Sequence, residues 1–324
     1  GRGNMPPTVT GPYVPLGRIA ADRPLGGGLL AALDAGKARE AIQTHVAGPL
    51  GIDVMAAAEA ILTVANARMA AATRLVPMER GHDPRRFAYM PFGGGGALHV
   101  CAMMREVGVG TGIVPRYPGV TSALGCVIAD MRHDAVQTIN KPLAELDVQA
   151  LAQRIGELAQ ACQQRLDSAG VRLEPVREVV AQDMPYAGQT HTLPVLLPGG
   201  AADLTRERIR AVFEAAYESA FGRVLGGIPI RVMNLRYARI GQRPKFDLAV
   251  LAPEGEGSTA PLGVQHVYHQ GRWHEAARYA RLALPVGARV EGPAILEQAD
   301  TTVWLEPGFA AEVDSFGNLL VRQA

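Results

Sequence analysis

The sequence predicts an α/β layer, then a mixed α+β region, then an all-β tail, on the strength of three observations. Phe87 to Phe92 is a short apolar run with aromatic residues, the composition of a buried strand; four glycines (Gly93 to Gly96) follow, and an Ala/Leu/Val/Met-rich stretch runs to Gly108 before a second apolar run at Thr111 to Val114. Strand, turn, helix and strand in that order imply a parallel crossover. Between Asp147 and Ala169, Val148, Leu151, Ile155, Leu158, Cys162 and Leu166 step by three or four with Arg, Gln and Glu between them, the stripe of a helix facing a core. From Val264 onward short apolar runs alternate with Gly and Pro, a pattern of strands and turns.

Taken in order, residues 1–27 are rich in Gly and Pro and are expected to be mostly irregular. They open in mid-loop without an initiating Met, and no basic stretch precedes an apolar one, so no signal peptide is expected. Asp34 is a candidate N-cap for a helix from Ala35 to Val46, with Gly48-Pro49 as its stop. Asp53 caps a longer helix to about Val76, ending before Pro77, on which Val54, Ala58, Ile61, Leu62, Ala65, Met69 and Ala72 recur at helical spacing. RGHDPRR (80–86) is a loop, the helix after the glycines starts at about Ala97, and Gly108 is its left-handed terminator. Pro115 to Gly119 is a loop, Val120 to Ala129 a helix and Met131 to Asn140 a strand.

Past the long amphipathic helix, VVAQDMPY (179–186) and THTLPVLL (190–197) flank Ala187-Gly188-Gln189 as in a hairpin. A helix at Thr205–Phe221 is expected to bury Ile209, Val212, Phe213, Ala216 and Tyr217, a strand at Ile230–Ile240 follows, and 253–263 is a loop by composition. The expected divisions are 1–143, 144–252 and 253–324.

Composition excludes several function classes. With 48% hydrophobic and 19% charged residues and a net charge of +1, the chain reads as a soluble globular protein with no electrostatic case for nucleic acid. No apolar stretch reaches 18 residues free of charge, which argues against a membrane span. Cys101, Cys126 and Cys162 are widely spaced in apolar surroundings and read as buried free thiols, in keeping with a reducing cytoplasm. The eight histidines form no HxxxH or HExxH pair, no metal site is expected, and His266, His269 and His274 read as surface residues.

The glycine turn is the first place to look for a ligand. Between a strand and a helix start, four residues without Cβ let backbone N–H groups meet a nucleotide at close range; equally, such a run serves as a tight connection. It is not GxGxxG with an acidic residue about 20 positions on, and there is no GxxxxGK[ST] anywhere. Asn66, with Met69 and Arg74 on the preceding helix, would bond a loop carbonyl or a ribose, or the helix simply packs behind the loop. Asp130, Arg132, His133 and Asp134 form a catalytic group, an ion-paired strand end or a face for a partner subunit. Asp183, Tyr186, Gln189 and His191 line the hairpin, where Tyr186 and Gln189 meet substrate or a partner subunit, or serve ordinary hairpin packing. Asp300, Thr301 and Thr302 read as an Asx-type turn before a strand, without chemistry.

Together these stretches resemble the A-type subunits of the hydantoinase/5-oxoprolinase family, to which the nucleotide-binding subunits of acetone and acetophenone carboxylases are related. The carrying residues are PTVT (7–10), LGR (16–18), ANARMAAATR (65–74), FGGGGALH (92–99) and PGVTSALG (118–125) leading to ADMRHD (129–134). QDMPYAGQTH (182–191), VMNLRYARIG (232–241), GPAILEQADTTVWLEPG (292–308) and VDSFGNL (313–319) complete a collinear series over essentially the whole chain.

The resemblance implies a partial actin-like, hexokinase-like ATPase domain (its second half), followed by an α+β region and an all-β C-terminal tail. It implies ATP with Mg²⁺, and Gly93, Gly94, Gly95 and Gly96 as nucleotide neighbours, with His99 as a further candidate beside Asn66, which the local reading supplies. The family's usual FGGAGPLH has alanine where this chain has Gly95 and proline where it has Ala97, a change that removes preorganisation of the turn but no donors. The two D-x-G-G-T-x-[ST]-D phosphate hairpins of the family do not occur here. The chain is therefore expected to be the C-terminal part of a longer subunit, or one piece of a split one, unable to hydrolyse ATP alone, with the metal held by the missing N-terminal portion. The implied activity is ATP-dependent hydrolysis of a cyclic amide together with a hydantoinase B-type subunit. Carboxylation of a ketone, or a non-catalytic assembly role, is the alternative; catalytic residues are not identified.

Overall fold

A computed structural model of the chain describes residues 6–22, 32–171, 173–245, 247–253 and 257–324. The chain forms two compact units, one from 1–127 with 247–324 and the other from 128–246. The β-rich stretch expected at 253–324 thus shares a unit with the N-terminal stretch. Three positions of the loop expected at 253–263, and 1–5 and 23–27 of the irregular N-terminal stretch, lie outside the described residues.

The first unit holds two four-stranded sheets. One runs Gly112–Val114, Leu319–Gln323, Phe309–Val313, Arg289–Glu291, antiparallel throughout. The other runs Thr301–Leu305, Ala294–Gln298, Arg272–Ala280, Gly263–His269, with one parallel pair between Arg272–Ala280 and Ala294–Gln298. The parallel layer expected around the glycines is reduced to a single parallel bridge, Tyr89 with Gly112. Gly112–Val114 takes its ladder partner from the last strand of the chain instead, and Pro91 has no N–H with which to extend pairing beyond Tyr89. Phe87, Met90 and Phe92, expected to be buried, are each about half exposed (50%, 49% and 53%).

Asp34 and Asp53 cap their helices as expected, accepting from Lys37 N–H, and from Met55 and Ala56 N–H. Both expected stops are passed. The first helix, Ala35–Ile42, continues through a π-turn, Gln43–Ala47, into Gly48–Leu50 and ends at Gly51, φ +65°. The wider π-turn relieves the clash that Pro49 would make with the carbonyl one turn back. The second, Val54–Glu79, keeps Pro77 in its last turn. This helix is long and apolar enough by length and composition to cross a membrane; here it buries Ala57, Ala58, Leu62, Asn66 and Ala70, while Glu59 accepts from the N–H groups of Gln270 and Gly271. Thr121–Ile128 is helical, as expected.

Two cores fill the unit. One gathers Val100, Met103, Met104 and Val107 with Leu296, Val303, Leu305, Phe309 and Val321. The other gathers Tyr13, Leu16 and Ile19 of the N-terminal stretch with Ile42, Leu62, Leu98, Val267, Ile295 and Trp304. Residues 11–19, expected to be irregular, are anchored as core.

The second unit is a four-stranded antiparallel sheet in the order Met131–Pro142, Arg231–Gly241, Val176–Met184, Leu193–Leu196. The expected hairpin pairs Met184 with Leu193 and Ala181 with Leu196. Helices Val148–Asp167 and Arg206–Phe221 follow their N-caps Asp147 and Thr205. They bury Leu151, Ile155, Cys162, Ile209, Phe213 and Tyr217 with Val180, Met184, Val195, Leu235 and Tyr237. Tyr186 stacks edge-on against Phe213 and Tyr217, with ring centroids 5.0 and 4.8 Å apart.

Candidate functional site

The glycine turn lies at the surface of the first unit. Only Gly93 needs a left-handed backbone, at φ +84°. Its N–H donates to the Pro118 carbonyl at 2.6 Å, and Gly96 N–H closes back on the Gly93 carbonyl at 3.3 Å. Gly96–His99 is a 3₁₀ turn that leads into the helix Val100–Val107, ended by Gly108 at φ +83° as expected. A Cβ at Gly93 or Gly95 would meet nothing within 4 Å, whereas one at Gly94 would come 3.2 Å from the Asp300 carbonyl. The N–H groups of Gly94 and Gly95 have no partner among the described residues.

Two other stretches converge on this turn. Thr301 Oγ1 donates to the Gly94 carbonyl at 3.1 Å. Asp300 Oδ2 accepts the Gly119 N–H at 2.8 Å, and a Cβ on Gly119 would fall 2.5 Å from that oxygen. FGGGGALH, PGVTSALG and the QADTT of the tail thus meet at one place. Sequence reasoning set Asp300 and Thr301 aside as turn formers; the pairing that brings a β-turn of the tail against residue 94 is long-range and leaves no local signal. Behind Asp300, buried Arg281 donates to the carbonyls of Val114, Pro115 and Arg116 and to Gln298 Oε1. Burial pulls its guanidinium down to about 10, opposed by the charge of Asp300.

Asn66 and His99 lie beneath the turn, bonded to each other. His99 Nδ1 is 2.6 Å from Asn66 Oδ1, and Tyr13 hydroxyl meets His99 Nε2. The consistent assignment is a neutral imidazole that donates from Nδ1 to Asn66 and accepts at Nε2 from Tyr13. Burial lowers His99 to about 4, helped by the Arg18 charge, and burial raises the Tyr13 hydroxyl above its usual range.

The polar cluster continues inward. Arg18 lies over the Trp304 ring and faces His269 Nδ1 at 3.4 Å; His269 Nε2 is 3.6 Å from Glu306, which also pairs with Arg105. His269, expected at the surface, is buried at 6% exposure, whereas His266 is exposed. The alternation of Gly263–His269 turns Val267 and His269 to the same inner side, a signal legible in VQHVYHQ. Cys101 and Cys162 are buried and free, but Cys126, expected to be buried, is exposed.

In the second unit, Arg132 and Asp134 form an exposed ion pair along Met131–Pro142, the strand-end alternative. Asp183 is buried and holds Asn234 and Arg236; these hydrogen bonds outweigh burial and lower its carboxyl. Gln189 accepts Tyr186 N–H and donates to Tyr217 hydroxyl at 2.8 Å. His191 is exposed. Among the described residues no group of three or more His, Cys, Asp or Glu is placed to hold a metal ion, so no step is assigned to one.

Comparison with known proteins identifies the family. The hydantoinase/oxoprolinase description matches residues 1–135, and the hydantoinase/oxoprolinase C-terminal domain matches 141–323. An uncharacterised protein of Methanocaldococcus jannaschii is 32% identical over 100% of this chain and 45% of its own length. The alpha subunit of caprolactamase from Pseudomonas jessenii is 29% identical over 97% of the chain and 46% of its own, and the crystal structure of that ATP-dependent enzyme superposes with a TM-score of 0.74 at 26% identity, covering 100% of this chain and 48% of that one. The beta subunit of acetone carboxylase from Xanthobacter autotrophicus is 26% identical over 95% of the chain and 44% of its own. A nucleotide-free acetone carboxylase structure shares the fold, with a TM-score of 0.72 at 24% identity over 98% of this chain and 46% of that one. The chain thus spans slightly under half the length of these relatives. With family descriptions covering nearly every residue and the same motifs meeting at one turn, the chain belongs to the hydantoinase/oxoprolinase family.

Proposed function

We propose that this chain supplies the nucleoside-binding part of an ATP-dependent amidohydrolase, with the glycine turn Gly93–Gly96 against the adenosine. The observation that carries the reading is the meeting of three distant stretches at an exposed turn with two unpartnered N–H donors and a carboxylate beside it. The sign of that charge decides which end of a nucleotide fits. A carboxylate at the turn repels phosphate, and buried Arg281 behind it already serves carbonyl oxygens. A neutral nucleoside, which both accepts and donates, suits the donors and the acid together. Asn66 and His99 belong to the same proposal as the support that fixes the turn from below, with Tyr13 completing the set.

ATP would supply a phosphoryl group to the carbonyl oxygen of the substrate, making a poor electrophile reactive. The β- and γ-phosphates and Mg²⁺ are assigned to elements outside these 324 residues, in keeping with a second actin-like half and with a partial hexokinase-like domain here. A hydantoinase B-type subunit is the proposed partner, in a reducing cytoplasm that suits the buried thiols of Cys101 and Cys162. The alpha and beta designations of the relatives support a hetero-oligomer. Cyclic-amide hydrolysis is the first reading, by analogy with caprolactamase; ketone carboxylation, by analogy with acetone carboxylase, is the second.

Hydrogen exchange with ATP, AMP and adenosine tests the assignment. Protection of 92–99 is the expected result. Absence of protection in this chain and in a version extended N-terminally to the length of its relatives would favour a purely structural, assembly role.

A further inference from the structure

We propose that Asp300 is the residue by which this site selects its nucleoside, accepting a hydrogen bond from either the exocyclic amine of adenine or a ribose hydroxyl. The inference rests on the reading of Gly93–Gly96 as the adenosine-binding turn. Asp300 occupies the two-residue connection between Ala294–Gln298 and Thr301–Leu305, whose ends pair Gln298 with Thr301. Thr301, the next residue, holds the Gly94 carbonyl, and the Asp300 carbonyl lies 3.2 Å from where a Gly94 Cβ would be, so the side chain is fixed at the edge of the turn.

Its carboxylate is aimed by one contact and free at the other oxygen. Oδ2 accepts from Gly119 N–H at 2.8 Å, and the side chain lies so close to the bare Cα of Gly119 that a Cβ there would fall 2.6 Å from Asp300 Cβ and 2.8 Å from Cγ. The rotamer is therefore set by the absence of a side chain at 119. Oδ1 has no partner among the described residues, and Asp300 is half-buried and not ion-paired within them. Carboxylate oxygens in such positions bind water or a ligand donor. With two unpartnered N–H groups on the turn, the site presents fixed donors and one fixed, charged acceptor. Adenosine matches that set. A base with a carbonyl at position 6 sets lone pairs against the carboxylate, and a deoxyribose lacks a donor; either loss identifies which group Asp300 reads.

The test compares adenosine, inosine, 2′-deoxyadenosine and 3′-deoxyadenosine binding to the 324-residue chain and to Asp300→Asn, with exchange protection over 92–99 as the location readout. Asparagine keeps an acceptor for Gly119 N–H through its amide oxygen and presents an N–H donor in place of the free oxygen. The wild-type chain is expected to prefer adenosine over inosine, or over one deoxy analogue, by about tenfold, the worth of a hydrogen bond to a charged group. Asp300→Asn is expected to reduce that preference to within about twofold or invert it. Equal binding of all four nucleosides to the wild type, or preferences that Asp300→Asn leaves intact, overturns the role of Asp300 while the turn keeps its ligand. No protection of 92–99 by any nucleoside overturns the adenosine-turn reading itself. The wild-type comparison stands even if the variant folds poorly.

Discussion

Asn66→Ala and His99→Ala probe the support beneath the glycine turn. Asn66 is 9% exposed and His99 8%, so groups left unpaired there meet little water. Asn66→Ala removes the acceptor of His99 Nδ1–H and strands a buried donor, at a cost of about 2 kcal/mol. His99→Ala strands both Asn66 Oδ1 and the Tyr13 hydroxyl and removes a ring from the core, for about 4 kcal/mol. Because both variants break the same 2.6 Å bond, the double variant should cost at least about 1 kcal/mol less than the sum. Tryptophan emission during urea unfolding isolates the effect. The chain has two tryptophans, both in the first unit, and in a Trp273→Phe background the signal comes from Trp304, fully buried in the core that holds Tyr13. Local exchange at 93–100 should rise in both single variants. Additive costs, or an Asn66→Ala penalty below about 0.5 kcal/mol, would show that no supporting bond exists.

The other predictions concern His99, the cysteines and Gly17. His99 has a folded pKa depressed to about 4 against an ordinary value of 6.5, so the unfolded chain binds the proton first and stability falls as pH drops from about 6.5 toward 4. The loss should reach about 3 kcal/mol. His269, also lowered by burial, acts in the same direction; urea midpoints of wild type and His99→Gln across that range should converge at low pH. At pH 8 a thiol reagent should label Cys126 first and leave Cys101, pushed up to about 12 by burial, and Cys162 nearly unreacted; Cys126→Ser should abolish the fast phase. Gly17→Ala should destabilise by about 3 kcal/mol or more, because Gly17 sits at φ +72° and a Cβ would run into the His266 carbonyl; calorimetry would show it as a lowered melting temperature.

Local chemistry was legible where the deciding forces are local. Asp34 and Asp53 as caps, the stripe Leu151-Ile155-Cys162-Leu166, and the hairpin about Gly188 follow from neighbouring residues, and the structure has each. Proline stops misled because a π-turn at Gln43–Ala47 and the last turn of Val54–Glu79 accommodate Pro49 and Pro77. The parallel layer misled because the edge of Gly112–Val114 goes to Leu319–Gln323, some 200 residues away in sequence, a competition that no window near residue 112 records. The site divides the same way. Gly93–Gly96 and the nearness of Asn66 were readable from a strand, a turn and a preceding helix. Tyr13, Arg18, His269, Asp300 and Glu306 were missed because what makes them polar neighbours is tertiary pairing between stretches far apart in the sequence.

That pairing sets an order of assembly. The 128–246 unit is one continuous segment and has everything needed for its core as soon as it leaves the ribosome. The other unit cannot close until residues 263–323 are made, since Leu16 and Tyr13 wait for Val267 and Trp304, and Val100 and Met103 wait for Phe309 and Val321. Such high contact order makes it the slow step in folding. Asp300 and Thr301 arrive with that segment, so the glycine turn gains its contacts from the tail only after residue 301 has been made, and a chain stopped before it would carry the glycines with the Pro118 carbonyl but without Thr301 on the Gly94 carbonyl.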